Sequence, residues 1–245
     1  ALAKGMITIS FNTIENKTNY DNLQVIIESK VKSLLNGLNN PFVKVIDNQN
    51  TNQLIQEQQR GLNQGSDIQV GKILAVKAIF AGSLMDFKIS EGKLVKQDKR
   101  GYIKEEYTVK DPTTGEPKKK SRYNKVTYTE FKQENQITSS FQYQLTSTES
   151  SAIMVSDAMD VNASDDIHYI VFEGNGSHLV PGYWEYIDKD SPKDKINDSS
   201  TDIGNLRDLL KSRRNIRTIE SLKSEVLDGI AARVAKKVNI YNPEE

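Results

Sequence analysis

Two histidines, one acidic run and one aromatic knot are the residues of this chain whose types and spacing bear on chemistry. His168 and His178 are the only histidines. His168 sits in an apolar run beside Tyr169, where a lone imidazole reads as a satisfied strand residue rather than a base or a ligand. Two histidines alone define no Ser-His-Asp set. The acidic run is Asp157, Asp160, Asn162, Ser164, Asp165 and Asp166. Its Asp160-x-Asn162-x-Ser164 spacing matches the start of a calcium loop. The sixth position, which needs glycine, is Asp165, and the twelfth, which needs glutamate, is Val171. The run therefore reads as a turn, with a metal-dependent hydrolase using Asp157 to Asp166 as the remote alternative. The aromatic knot Pro181-Gly-Tyr-Trp-Glu-Tyr186 holds the only tryptophan. Tyr183, Trp184 and Tyr186 read either as packing against a sheet or as an exposed partner-contact patch, since Trp and Tyr concentrate at interface hot spots.

Composition narrows the function classes. Lysine plus arginine and aspartate plus glutamate each number 33, so no net charge steers the chain toward nucleic acid or an anionic surface. Tyrosines interleave with lysines between Tyr102 and Tyr128, but an equal share of acids makes that stretch a solvated hairpin rather than a nucleic-acid surface. Cysteine is absent, which removes disulfides, thiolate catalysis and cysteine metal sites. The pairs Gly61/Gly65 and Gly174/Gly176 do not open a helix with phosphate-loop spacing, so no nucleotide or other cofactor is expected. No apolar run reaches the roughly 18 residues of a spanning helix. No signal peptide is visible, so the expectation is a cytosolic chain or a mature exported one.

The elements that must position these residues follow from periodicity. Residues 6–11 alternate apolar and polar and predict a strand. After a polar turn at 16–19, Leu23, Ile26, Ile27, Val31, Leu34, Leu35 and Leu38 fall on one face of a helix, with Asn19 or Asp21 as its cap and Gly37 near its end. Residues 42–47 predict a second strand, 51–60 a short helix, and 67–75 a helix capped by Ser66. The nearly continuous apolar run 77–87 predicts a strand buried on both faces. Residues 88–136 are polar and read as a long projecting hairpin, its strands at 101–110 and 122–132 and its turn at 111–117. Ile137, Ser139, Phe141, Tyr143 and Leu145 mark one face of a further strand. Strands are also predicted at 152–161 and 167–172, irregular chain at 174–202, and closing helices at 203–212 and 219–238. This is an α/β (α+β) pattern: a mixed β-sheet with helices packed on it, plus the projecting hairpin.

Taken in order, these pieces resemble the CsgG-like cell-envelope lipoproteins, which include the curli secretion component. The resemblance is carried by Ile7-Thr-Ile-Ser-Phe-Asn-Thr-Ile-Glu-Asn-Lys-Thr18, by Val43-Lys-Val-Ile-Asp47 and by Gly71-Lys-Ile-Leu-Ala-Val-Lys-Ala-Ile-Phe-Ala-Gly-Ser-Leu84. Phe141-Gln-Tyr-Gln-Leu-Thr-Ser-Thr-Glu-Ser-Ser-Ala-Ile-Met154 and residues 222–238 complete it. It implies a single α/β domain over residues 1–245, with insertions at about 88–136 and 174–202. It also implies a periplasmic, outer-membrane-associated position, a lipid anchor upstream of residue 1, and non-enzymatic assembly work with protein partners or with copies of itself. The LpoB-type and TolB-type envelope proteins share a similar core. A secretion-pore subunit is the alternative. Membrane strands need about 9–11 residues of alternating apolar character. Lys96-Gln-Asp-Lys-Arg100, Lys104-Glu-Glu106, Asp188-Lys-Asp190 and Lys193-Asp-Lys195 place charge on both faces, so both insertions are expected to be soluble.

Overall fold

The computed structural model describes residues 7–38, 40, 42–46 and 76–240. The elements are β1 (Ile7–Phe11), β2 (Glu15–Asn16), α1 (Leu23–Gly37), β3 (Val43–Ile46), β4 (Ala78–Glu91), β5 (Val95–Lys110), β6 (Pro117–Ser147) and β7 (Ile153–Val171). A single 3-10 turn (Gly176–His178), β8 (Leu179–Tyr183), β9 (Lys195–Ile196), α2 (Ser200–Lys211) and α3 (Ile219–Asn239) follow. The strands make a nine-stranded mixed sheet in the order β3-β1-β4-β6-β5-β8-β9, with β2 beside β4 and β7 beside β6. β1 runs parallel to β3 and β4, whereas β5 runs antiparallel to β6 and β8. The expected mixed sheet with helices is therefore the observed class. The helices read at 51–60 and 67–75 lie outside the described residues.

The chain forms two compact units. The first takes in the described residues through Ser90, residues 136–164 and those from Thr218 onward; the second takes in residues 91–135 and 165–217.

In the first unit, four-residue spacing builds both helices of the core. Leu23, Ile27, Val31 and Leu35 bury one stripe of α1, and Leu222, Val226, Ile230, Val234 and Val238 bury one stripe of α3. At 100° per residue such a stripe stays on one face for several turns. Ile26 and Leu34, read as part of the α1 face, fall outside the stripe and are 37% and 42% exposed. Neither Asn19 nor Asp21 caps α1. The N-cap is Asn22, at φ 65° and with no side-chain cap bond. Asn16 ties the preceding turn instead: its Oδ1 accepts from the Thr18 backbone N–H at 3.0 Å, and its Nδ2 donates to the Tyr20 carbonyl at 2.7 Å. The five alternating residues from Ile137 to Leu145 are all buried, as their spacing predicts. β4 departs from the reading of a strand buried on both sides, because on its second face Ile79 and Ala81 are half-buried and Met85 is exposed.

In the second unit, β5 and β6 form the expected hairpin, paired from Val95↔Lys132 to Lys110↔Pro117. Asp111 Oδ1 accepts from the Thr113 N–H at 2.8 Å and closes the turn. β6 then continues unbroken to Ser147, joining two runs that read separately. α2 begins three residues earlier than its apolar residues suggest, because Ser199 Oγ accepts from the Asp202 N–H at 3.1 Å and caps it.

The acidic run is a correction. It is no turn but the middle of β7, a single strand of 19 residues. Met159, Val161 and Ala163 are buried while Asp160, Asn162 and Ser164 alternate outward. The spacing that imitates a calcium loop is the polar face of a strand.

Candidate functional site

The aromatic knot lies where β8 meets β5 in the second unit. β8 pairs through Gly101↔Pro181, Tyr102↔Val180 and Ile103↔Leu179 on one side, and through Gly182↔Ile196 and Tyr183↔Lys195 with β9 on the other. Two glycines permit this approach. A Cβ on Gly101 would stand 2.7 Å from the Val180 carbonyl oxygen, and one on Gly182 would stand 2.5 Å from that of Lys195. Either would push a neighbouring backbone away.

The structure separates the three aromatic residues singled out in the sequence. Trp184 is 7% exposed and packs with Tyr102 and Val180, while Tyr123 and Ile203 border the cluster. Its Nε1–H is shared between the carbonyls of Gly101 at 3.2 Å and Val126 at 3.3 Å. The indole thus finds acceptors on two strands, as a buried tryptophan requires. The Arg100 guanidinium lies 4.8 Å from the Trp184 ring and 5.2 Å from the Tyr183 ring, and its Nη1 donates to the Trp184 carbonyl at 2.6 Å. Tyr102 donates its hydroxyl to the Tyr183 carbonyl at 3.0 Å. Tyr183 and Tyr186 are each 44% exposed, and Ile187 and Ile196 are exposed with them. Tyr183 and Tyr186 are thus the exposed members of the knot, and Trp184 is its buried anchor.

A polar network fixes the loop that carries Tyr186 and Ile187. The Asp194 carboxylate accepts from the backbone N–H of Glu185 at 2.9 Å and of Ser191 at 3.1 Å, and pairs with Lys125 Nζ at 2.7 Å. Lys125 also donates to the carbonyls of Tyr186 at 2.9 Å and Lys189 at 2.6 Å. The hydrogen bond from Lys125, followed by that from the Glu185 N–H, holds the Asp194 carboxyl below its ordinary range. Lys193 and then Ser191 do the same for Glu185. Arg100, Lys125 and Asp194 escaped the sequence reading. Arg100 lies in a charged run that reads as solvated, and nothing local marks Lys125 as the partner of a loop about 65 residues downstream.

The histidines stand apart from this surface chemistry. His168 Nε2 lies 2.7 Å from Glu130 Oε1, and Glu130 also pairs with Lys99 at 3.2 Å and Lys132 at 3.3 Å. Burial by itself would raise the Glu130 carboxyl, but the bonds from His168, Lys99 and Lys132 outweigh it and bring it down to about 2. His168 is thereby a sheet residue satisfied by a carboxylate. His178 is exposed in the 3-10 turn. In the acidic run, Asp160 accepts from the Ser140 hydroxyl, and Asp165 takes a bidentate contact from Arg213 and the Arg217 N–H at 2.8 Å. Among the described residues, no three His, Cys, Asp or Glu side chains converge as a metal site would require.

The fold defines an α+β protein built on a mixed sheet. No family model matches the chain, and no curated protein matches it. Three solved structures are distant likenesses of fold. Lipoprotein GNA1162 from Neisseria meningitidis has a TM-score of 0.33 at 9% identity, over 64% of this chain and 83% of that one. PelC from Paraburkholderia phytofirmans, solved as a dodecamer, has a TM-score of 0.30 at 12% identity, over 64% and 73%. The hypothetical protein CT253 from Chlamydia trachomatis has a TM-score of 0.35 at 8% identity, over 95% and 98%. At such scores they carry no functional inference.

Proposed function

We propose that this chain is a non-enzymatic cell-envelope protein, periplasmic and held at the outer membrane by a lipid anchor, that works by contact with protein partners or with copies of itself. The observation that supports the reading is the exposure of Tyr183 and Tyr186 on a segment held in place by the buried Trp184 and a network of charged hydrogen bonds. Tyrosine supplies large amphipathic contact area at low entropic cost, and a pre-organised loop loses little further freedom on binding. The envelope assignment comes from the CsgG-like order of pieces in the sequence. No helix among the described residues is long and apolar enough to cross a membrane, which is compatible with attachment from one side.

The test combines two measurements. Sedimentation velocity over a range of concentrations reads self-association. A photo-crosslinking residue at Ile187, expressed in intact cells of the source organism, reads envelope partners. The expected result is an oligomer, or a discrete crosslinked species, that disappears in the Tyr183→Ala/Tyr186→Ala variant while the melting temperature is kept. A chain that stays monomeric throughout and forms no crosslink at Ile187 refutes the proposal.

A further inference from the structure

Asn-x-Ser/Thr, with any residue but proline in the middle, is the triplet that an oligosaccharide-transferring enzyme accepts on an exposed segment of an exported chain. The sequence holds four such triplets: Asn16-Lys-Thr18, Asn162-Ala-Ser164, Asn175-Gly-Ser177 and Asn197-Asp-Ser199. Transfer needs an uncommitted amide nitrogen, an uncommitted hydroxyl two residues on, and backbone that can leave its partners to enter the enzyme. The fold takes three of the triplets out of contention. Asn16 spends its Nδ2 on the Tyr20 carbonyl at 2.7 Å and on Gln24 Oε1 at 3.0 Å. Asn162 sits in the middle of β7, a strand paired into the sheet. The Ser199 hydroxyl is committed to the start of α2, where it accepts from the Asp202 N–H at 3.1 Å and donates to the Asp202 carboxylate at 2.5 Å.

Asn175-Gly-Ser177 meets all three needs. It lies between β7 and β8, and Glu173, Asn175 and Ser177 are exposed. The Asn175 carbonyl takes the His178 N–H at 3.3 Å and the Ser177 carbonyl takes Arg207 Nη2 at 3.0 Å, local or exposed bonds rather than a strand ladder. Asn175 Oδ1 accepts from the Ser177 N–H at 3.1 Å and from the Ser177 hydroxyl at 2.7 Å, while its Nδ2 has no partner among the described residues. Capping of the 3-10 turn accounts for the first of these bonds alone, and aspartate or serine would cap as well. The turn has no need of the amide nitrogen or of the hydroxyl at 177. Transfer needs both, because two donors on Oδ1 draw electron density to the oxygen and loosen the Nδ2 protons. Gly174 and Gly176 flank the asparagine and leave its backbone room to turn toward an enzyme. Glu173, two residues ahead, adds an exposed carboxylate for a basic group of that enzyme.

We propose that Asn175 is a site of N-linked glycosylation. Its Nδ2 forms a bond to C1 of an oligosaccharyl group carried on a polyprenyl diphosphate. The C1–O bond breaks, the lipid diphosphate leaves, and one amide proton passes to a base of the transferring enzyme. The inference rests on the proposed envelope position, since such transfer acts on exported chains.

The test takes the intact chain from the envelope and cytoplasmic fractions of cells of the source organism and reads its peptides by mass spectrometry. The expected result is a sugar adduct on Asn175 in the envelope fraction. Asn175→Gln and Ser177→Ala should abolish it, and Ser177→Thr should keep it. Ser177→Ala should do so at an unchanged melting temperature, which a structural role for the hydroxyl would not allow. A bare Asn175 in chain recovered from the envelope overturns this inference and leaves the envelope reading standing. Bare chain recovered from the cytoplasm alone overturns both. An adduct on Asn16, Asn162 or Asn197 with Asn175 bare, or one on Asn175 that survives Ser177→Ala, overturns the assignment of the site.

Discussion

Truncation of the tryptophan separates its role as an anchor from a role as a contact residue. Trp184→Ala removes a side chain that is 7% exposed and packed among Tyr102, Val180, Tyr123 and Ile203. A buried aromatic of this size removes about 150–250 Å² from water, which at about 25 cal/mol/Å² amounts to about 4–6 kcal/mol as an upper figure. Measured Trp→Ala truncations in cores run at about 3–5 kcal/mol. The variant also strips the carbonyls of Gly101 and Val126 of a shared donor and leaves Arg100 without its nearest aromatic face. A loss of about 3–5 kcal/mol is expected. Far-UV circular dichroism under urea reads it, since the variant has no indole to follow by fluorescence. Hydrogen exchange at the paired amides of β5 and β8 confines the loss to this site. Trp184→Phe keeps most of the apolar area but not the N–H, and should cost about 1–2 kcal/mol. A Trp184→Ala loss below about 1 kcal/mol, with exchange at Gly101 to Ile103 unchanged, would refute the anchor and return the tryptophan to the surface.

Two further perturbations test the second unit. Glu130 has a folded-state pKa depressed to about 2 from an ordinary 4.5. Its stabilisation is therefore complete above about pH 4.5 and drains as pH falls toward 2, and Glu130→Gln should flatten that part of the stability–pH curve; an unchanged acid limb in the variant would show that the Lys99, Lys132 and His168 contacts contribute nothing. Replacing residues 107–120 by Asn-Gly joins Glu106 to Ser121, which are already paired, and should shift the urea midpoint by less than about 1 kcal/mol in free energy; a loss of soluble protein would mean that the outer hairpin supports the rest of the unit.

The legible parts of this fold are those whose burial repeats at a local period. Leu23, Ile27, Val31 and Leu35 announce α1, and the alternation from Ile137 to Leu145 announces a strand, because each buries one face against a broad neighbour. Ile26 and Leu34 mislead for the same reason: an apolar side chain next to the stripe looks the same in sequence whether or not a neighbour covers it. The acidic run reads as a turn because turns and the solvent face of a strand draw on the same residues, Asp, Asn and Ser. β8 and β9 leave no periodic signal within chain rich in Gly, Asp and Ser. Gly101 and Gly182 are what bring these strands close, and the need for glycine there is set by backbone from elsewhere in the chain. The site residues follow the same division. Three aromatics stood out by type, but nothing local distinguishes the one that finds acceptors 83 and 58 residues away from the two that do not.

That distinction bears on how the proposed contact surface would work. A cluster with Tyr183, Trp184 and Tyr186 all exposed would be mobile and would lose much of its contact energy in ordering. With Trp184 held by Gly101 and Val126, and with Lys125 and Asp194 gripping the backbone of the following loop, the ordering is achieved during folding rather than on binding. The network also predicts an interaction sensitive to changes that never touch a partner. Lys125→Met removes little exposed contact area, since that side chain is 10% exposed, yet it takes the donor from the carbonyls of Tyr186 and Lys189 and leaves Asp194 only its bonds from the Glu185 and Ser191 N–H groups. A contact surface that depends on pre-organisation must weaken in this variant while the β5–β6 pairing persists, and a surface that depends on exposed area alone must not.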